Sequence, residues 1–251
     1  VIPFFKKFLR KYPNLKSLSV ASEDEILALW TGLGFYRRAK NIYKTKEIIK
    51  HDYKNIFPKK YEELMALPGI GKSTAGAIMS LAYQESYPIL DANVKRVIAR
   101  FENIERDEKK LWKLSEKLTP NNNIFAYTQG IMDLGATTCS VREPECQSCP
   151  IVKICNSAFH TSVQNPKKNK EKSVKKINFT LAHSKKSFLL FKKEEKTFWE
   201  SLWVPFDNKD SKKDIIFKKP NKTEIKNINH ALSHLNLDIT IEICEYSAPF
   251  K

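Results

Sequence analysis

No run of apolar residues in this 251-residue chain approaches the roughly 20 that a membrane-crossing helix needs, and no signal-peptide pattern opens it. The expected compartment is therefore reducing, cytoplasmic or nuclear, with no membrane partner; a cytoplasmic, nucleoid-associated place is the expectation for a bacterial source. Glycine is scarce. Only seven are present, all between Gly32 and Gly135, so glycine is spent on turns of the first half and is absent from the rest. Acidic residues are also in short supply: 28 Asp and Glu face 44 Lys and Arg, for a formal charge of +16. That imbalance favours a polyanionic partner, nucleic acid first, because lysine and arginine displace the counterions condensed on phosphates. A general lysine bias, accompanied by many Asn and Ile residues, accounts for the same number without a partner. What is present in quantity is apolar residue, 41% of the chain, enough to fill one or two cores.

The chain begins at Val1 with an uncapped amphipathic pattern, Ile2, Phe5, Phe8 and Leu9. It reads as a helix entered midway, and a preceding segment is expected. Apolar residues then recur at helical spacing in residues 25–30, 39–49, 61–67, 74–83, 94–101, 111–118 and 125–134, with polar or glycine breaks between them. Residues 166–176 hold six lysines and almost nothing apolar, which marks a solvated linker. Beyond it the period shifts toward strands at 178–182, 187–191, 202–206 and 238–244. The expected fold is mainly α over residues 1–160, a basic linker over 161–176, and a smaller α/β domain over 177–251.

Cys139, Cys146, Cys149 and Cys155 form a CX6CX2CX5C cluster within 17 residues. Four thiolates in a reducing compartment are natural ligands for an iron–sulfur cluster such as [4Fe-4S] or for zinc. Zinc sites usually bring two close pairs, and only Cys146 and Cys149 form one; structural zinc and a pair of disulfides remain the competing readings. Cys244 lies far away among apolar residues as a core thiol.

The segment Leu67-Pro68-Gly69-Ile70-Gly71-Lys72-Ser73-Thr74-Ala75-Gly76-Ala77 places two glycines around one apolar residue ahead of a helix. Consecutive backbone N–H groups at a positive helix end can seat a phosphate without sequence preference. A glycine turn joining two helices needs no ligand, and that plainer reading competes. Twenty residues after Gly71, Asp91 precedes a run with Val94, Val97, Ile98 and Phe101 on one face. Its carboxylate can cap that helix, worth about 1 kcal/mol, and a carboxylate fixed there is also aimed, which suits a group that faces developing positive charge.

The hairpin, Asp91 and the cysteine loop, in this order, resemble the helix-hairpin-helix DNA glycosylase superfamily. Within it, residues 67–77, Pro88-Ile89-Leu90-Asp91, Asn93-Val94-Lys95-Arg96-Val97 and Met132-Asp133-Leu134-Gly135-Ala136 are similar to the MutY-type adenine glycosylases. The likeness runs through nearly all of residues 1–157. The segment Leu29-Trp30-Thr31-Gly32-Leu33-Gly34-Phe35-Tyr36-Arg37-Arg38-Ala39 resembles the stretch that supplies the family's wedge into the duplex, with Phe35 where a tyrosine is usual. Phenylalanine keeps the stacking surface and loses the hydroxyl.

The resemblance implies a monofunctional glycosylase in base excision repair. It acts as a monomer on double-stranded DNA, flipping adenine that lies opposite 8-oxoguanine or guanine and hydrolysing its glycosidic bond. Asp91 matches the carboxylate that stabilises the oxocarbenium ion; Ser73 and Asn93 match positions that arrange the sugar and the nucleophile. Ser73 also stands where lyase relatives carry a Schiff-base lysine, and Lys72, turned by about 100° on the helix, is expected to face phosphates. Phe35, Tyr36, Arg38, Gly69, Ile70, Gly71 and Lys72 are the implied DNA contacts, and Cys139, Cys146, Cys149 and Cys155 the implied [4Fe-4S] ligands. The cluster pins a loop whose Arg142 and Lys153 can reach the backbone. The family's acid, a glutamate, matches a position upstream of Val1, so a binding-only fragment is the alternative reading.

Residues 177–251 resemble, more faintly, the family's NUDIX-like domain, here incomplete. Ser187–Phe191 and Leu202–Phe206 look like its first strands, and 230–239 like the loop that reads 8-oxoguanine, with Ser233 and His234 as implied contacts and Leu232 replacing a phenylalanine. His230 and His234 as ordinary strand-end residues are the plainer alternative. No GX5EX7REUXEE box exists, which excludes a pyrophosphatase.

Overall fold

In the computed structural model the described residues are 1–160, 172–185, 187–193, 199–207, 220–232 and 235–246. The chain divides after Asn165 into two units. The first is helical: α1 (Ile2–Lys11), α2 (Leu15–Ser19), α3 (Glu23–Trp30), α4 (Tyr36–Asp52), α5 (Tyr61–Met65), α6 (Lys72–Ile78), α7 (Ala92–Phe101), α8 (Glu108–Leu118) and α9 (Ile124–Asp133). Short wider-pitched turns extend α6 through Tyr83 and α9 through Thr138. No helix among the described residues is long and apolar enough to cross a membrane.

Local chemistry starts these helices where the sequence offers it. Asn14 and Ser22 each close a reciprocal capping box, with Ser17 and Glu25, so α2 and α3 begin with their orphan N–H groups satisfied. The helix α2 is too short to show a period in the sequence. Two apolar clusters then position the site. Ile49, Leu64, Leu67, Ala75 and Met79 lock α6 against α4 and α5, with Ile70 packed on their edge. Ile89, Leu90, Val94, Ile98, Ala99 and Leu111 bind the extended segment before α7 to α7 and α8. Each large aliphatic side chain buried this way contributes about 2 kcal/mol.

The second unit holds β1 (Ser173–His183), β2 (Phe191–Lys192), β3 (Trp203–Val204), β4 (Phe206–Asp207), β5 (Lys222–Ala231) and β6 (Leu235–Glu245). The four-stranded sheet runs β4-β1-β6-β5, with β1 and β6 parallel and the other pairings antiparallel. Ile177, Phe179, Val204, Leu235, Leu237 and Ile239 form its core, and Cys244 is buried in β6. Two expectations need adjustment. The strand β1 begins at Ser173, inside the segment read as linker, because β6 supplies a parallel partner for its lysine-rich start. Strand β5, exposed along its whole length, carries no strand signal in its sequence. The described residues of this unit contain strands and no helix.

Candidate active site

The hairpin is set by close backbone approach. Gly69 has φ +83°, and a Cβ there would fall 2.9 Å from the Asn41 Cβ, so only glycine fits both the conformation and the space. Thr45 Oγ1 donates to the Pro68 carbonyl at 3.1 Å, tying the turn to α4. Gly71 precedes α6 with no side-chain cap, which leaves the first N–H groups of that helix free to face a ligand. Gly76 lets α6 lie directly on the Pro88 carbonyl, where any Cβ would overlap the oxygen.

That contact delivers the catalytic candidates. Ser73 Oγ accepts the Leu90 N–H at 2.9 Å, fixing the strand-like segment whose next residue is Asp91. Asp91 Oδ1 accepts the Val94 N–H at 2.8 Å as the N-cap of α7. Its other carboxylate oxygen makes no hydrogen bond among the described residues. Asn93, two residues on, is pressed against Gly135: a Cβ on that glycine would lie 2.7 Å from the Asn93 Cβ. Ser73, Asp91 and Asn93 are thus held by one joint between α6 and α7.

The opposite side of α7 meets the cysteine loop through two arginines that the sequence does not single out. Arg96 is 5% exposed; it donates to Asn93 Oδ1 at 2.9 Å, to the Cys139 carbonyl at 2.7 Å and to the Gly135 carbonyl. Arg100, 7% exposed, donates to Cys139 Sγ at 3.3 Å and to the Ser140 and Val141 carbonyls at 2.5 and 2.9 Å. Their i, i+4 spacing is visible in the sequence, yet arginine on a helix usually means a solvated face. Nothing in the sequence alone marks these two as buried.

Cys139, Cys146, Cys149 and Cys155 line one pocket, closed on one side by Val97, Arg100 and Leu134. Among the described residues no three Cys, His, Asp or Glu side chains converge on a single ion-sized point. All five cysteines are free thiols, so the disulfide reading is not realised. Burial raises the Cys155 thiol above its ordinary pKa, and the three neighbouring cysteines add to that through charge repulsion. A four-thiol donor set facing one pocket, with a guanidinium donating to one sulfur, fits an iron–sulfur group.

The turn before α4 brings Phe35 to the surface. Phe35 takes left-handed backbone, φ 51° and ψ 45°, and is 72% exposed. A bulky residue held there is strained, a conformation that the exposed Phe159 shares at φ 63°. The Arg38 guanidinium covers its ring at 5.0 Å from the centroid. Phe35, Arg38, Gly69 and Ile70 line one cavity of about 760 Å³ together with Phe4 and Phe8 of α1, so wedge and hairpin candidates share one concavity. Tyr36 is half-buried beside them. Lys72 lies across α8, its Nζ 4.0 Å from the Trp112 ring centroid and 3.4 Å from Glu116. Ser233 and His234 lie outside the described residues.

The chain is similar to known proteins in the same regions. A profile of the HhH-GPD superfamily of base excision DNA repair proteins matches residues 1–121. The adenine DNA glycosylase of Buchnera aphidicola subsp. Schizaphis graminum is 40% identical over 95% of this chain and 73% of that protein. Its counterpart from Buchnera aphidicola subsp. Acyrthosiphon pisum is 41% identical over 92% and 69%. Among solved structures, a thermostable thymine-DNA glycosylase superposes with a TM-score of 0.56 and 30% identity, covering 62% of this chain and 75% of that one.

Proposed function

The chain belongs to the adenine DNA glycosylases of the HhH-GPD superfamily, and from that membership we propose that it hydrolyses the N-glycosyl bond of adenine mispaired with 8-oxoguanine or guanine in duplex DNA. The observation that carries the reading is the joint at Asp91. One carboxylate oxygen is spent on the Val94 N–H, which leaves the other without a hydrogen bond among the described residues and held at a fixed backbone position. Ser73 cannot swing away without losing the Leu90 N–H.

In this mechanism the adenine leaves the stack and enters the helical unit, since its glycosidic bond is out of reach inside a duplex. The hairpin N–H groups and Lys72 hold the backbone, and Phe35 fills the gap beside the partner base, with Tyr36 and Arg38 supporting it. As the bond lengthens, positive charge grows on the sugar, and the free Asp91 oxygen stabilises it. Asn93, steered by Arg96, and Ser73 orient the sugar and the attacking water. Among the glutamates of the helical unit, Glu25 and Glu47 are two that are unsuited to protonating the base. Backbone and side-chain hydrogen bonds from Ser22 and Lys11 lower the first, and Lys46 lowers the second, whereas a general acid needs its pKa raised.

Cys139, Cys146, Cys149 and Cys155 would hold a [4Fe-4S] cluster, which when bound supplies charge and fixes the loop carrying Arg142 and Lys153 against the DNA backbone. The sheet unit is assigned the NUDIX-like role of reading the base opposite adenine, through Ser233 and His234.

The test is release of free adenine by the full-length gene product from a duplex holding one adenine opposite 8-oxoguanine. Adenine release there, and none from an A·T duplex, is the expected result. Tight mismatch binding without adenine release would sink the hydrolase reading and leave the binding-only alternative.

A further inference from the structure

We propose that the outer face of α8 is a track for DNA phosphates that continues the contact begun at the hairpin; the proposal rests on the duplex substrate assigned above. The helix has three faces. Leu111 and Ser115 are buried in the core. Beside them runs a row at four-residue spacing, Glu108, Trp112 and Glu116, and every member is engaged: Glu108 pairs with Lys95 of α7 at 2.8 Å, Glu116 reaches Lys72 of α6 at 3.4 Å, and Trp112 lies under the Lys72 ammonium. Both acids of α8 are therefore neutralised by lysines from neighbouring elements. The flanking Asp107 is turned onto the backbone N–H of Lys110 as the N-cap.

What remains on the solvent side is basic. Lys109, Lys113 and Lys117 follow one another at i, i+4 and i+8, with Lys110 adjacent, and all four are exposed. None forms an ion pair within 4 Å among the described residues, though Asp107 at the head of the helix feels the charges of Lys109 and Lys110. A mere excess of lysine in the composition would leave acids scattered among them. Here both acids within α8 sit in the row that meets α6 and α7, and the row Lys109, Lys113 and Lys117 contains none, with Asp107 flanking it only at the N-cap. The three aligned lysines rise by about 6 Å from one to the next, and their long stems let each reach a separate phosphate. The row borders Lys72 through Trp112 and Glu116, so basic side chains extend from the hairpin to the helix on either side of one paired, half-exposed carboxylate. Charge complementarity thus selects the phosphodiester backbone of the duplex flanking the mismatch as occupant.

The experiment measures affinity of the full chain for a mismatch duplex across a salt series, comparing the parent with K109Q/K113Q/K117Q. Removing one lysine from its phosphate flattens the slope of log affinity against log salt by about 0.9, so the triple variant should be shallower by up to about 2.7. The K109R/K113R/K117R variant should keep the parental slope, and thermal melting followed by circular dichroism should be unchanged in both. A parent that binds with a steep slope, together with an equally steep Gln variant, overturns the track and leaves the proposed function standing. A parent that does not bind duplex DNA overturns the functional reading, and the track with it. A slope that the Gln variant flattens only with single-stranded RNA, and not with the duplex, would move the surface to a different partner and equally overturn it.

Discussion

Helix α7 and strand β5 are both ten residues long, and they sit at opposite extremes of burial. Six residues of α7 are buried, including two arginines, whereas every residue of β5 is exposed. The difference teaches where this chain concentrates its constraints. α7 carries Asp91 at its start, Asn93 in its first turn and the cysteine loop on its far side, so one rigid rod links the proposed chemistry to the proposed cluster site. β5 hangs on β6 by backbone hydrogen bonds and contributes almost no core.

The sharpest way to break this contrast is at the head of α7. Asp91→Asn keeps a side-chain oxygen for the Val94 N–H and removes the charge proposed to stabilise the sugar cation. Adenine excision in a single-turnover assay should fall by at least about 100-fold, with mismatch affinity retained; excision within a few-fold of the parent would remove Asp91 from the chemistry. Next in size is Arg96→Leu. It leaves the Gly135 and Cys139 carbonyls and Asn93 Oδ1 without their donor in a buried setting, and losing a hydrogen bond to a charged group costs roughly 1.5–3 kcal/mol. Urea unfolding should show a loss of that order or more, with a further drop in excision through Asn93. A fall in stability with unchanged excision per folded molecule would cut Asn93 from the mechanism.

How much of this is legible in the sequence follows the same divide. The hairpin, Asp91 and the helix that carries it are readable because turn glycines, a capping acid and a 3.6-residue period are local signals. The grouping of the four thiols is readable from spacing. What escapes requires three dimensions: Arg96 and Arg100 look like solvated helix arginines until the Cys139–Val141 carbonyls are brought to them, and Trp112 with Glu116 looks like surface until Lys72 lies on it. In the sheet unit β5 mixes polar and apolar residues on its faces, so no period separates strand from loop. Only pairing with β6 makes it one, just as β6 makes Ser173–Lys176 part of β1.

A smaller effect is expected where α7 meets α9. Gly135→Ala drives a methyl into the Asn93 Cβ and backbone; overpacking of this kind costs about 1–3 kcal/mol. Because the nearest atoms include the Asn93 carbonyl, the side chain cannot simply rotate away. Thermal melting should register the loss, and excision should fall more than melting explains, since Asn93 is displaced at the same stroke. Unchanged excision would show that the joint tolerates movement.

The smallest effects belong to β5, and they are graded. Ile225 faces Glu242 across the pair and Ile228 faces Ile239, a core residue of the sheet. Ile228→Thr gives up one apolar cross-strand contact, worth about 0.2–1 kcal/mol. Ile225→Thr gives up none, and threonine suits a strand, so its effect should stay within about 0.5 kcal/mol. Urea midpoints of the two variants in the full chain measure both. If Ile225→Thr proves as costly as Ile228→Thr or more so, the exposed face of β5 is covered in the intact protein, and the contrast between a constrained α7 and a permissive β5 breaks at its weaker end.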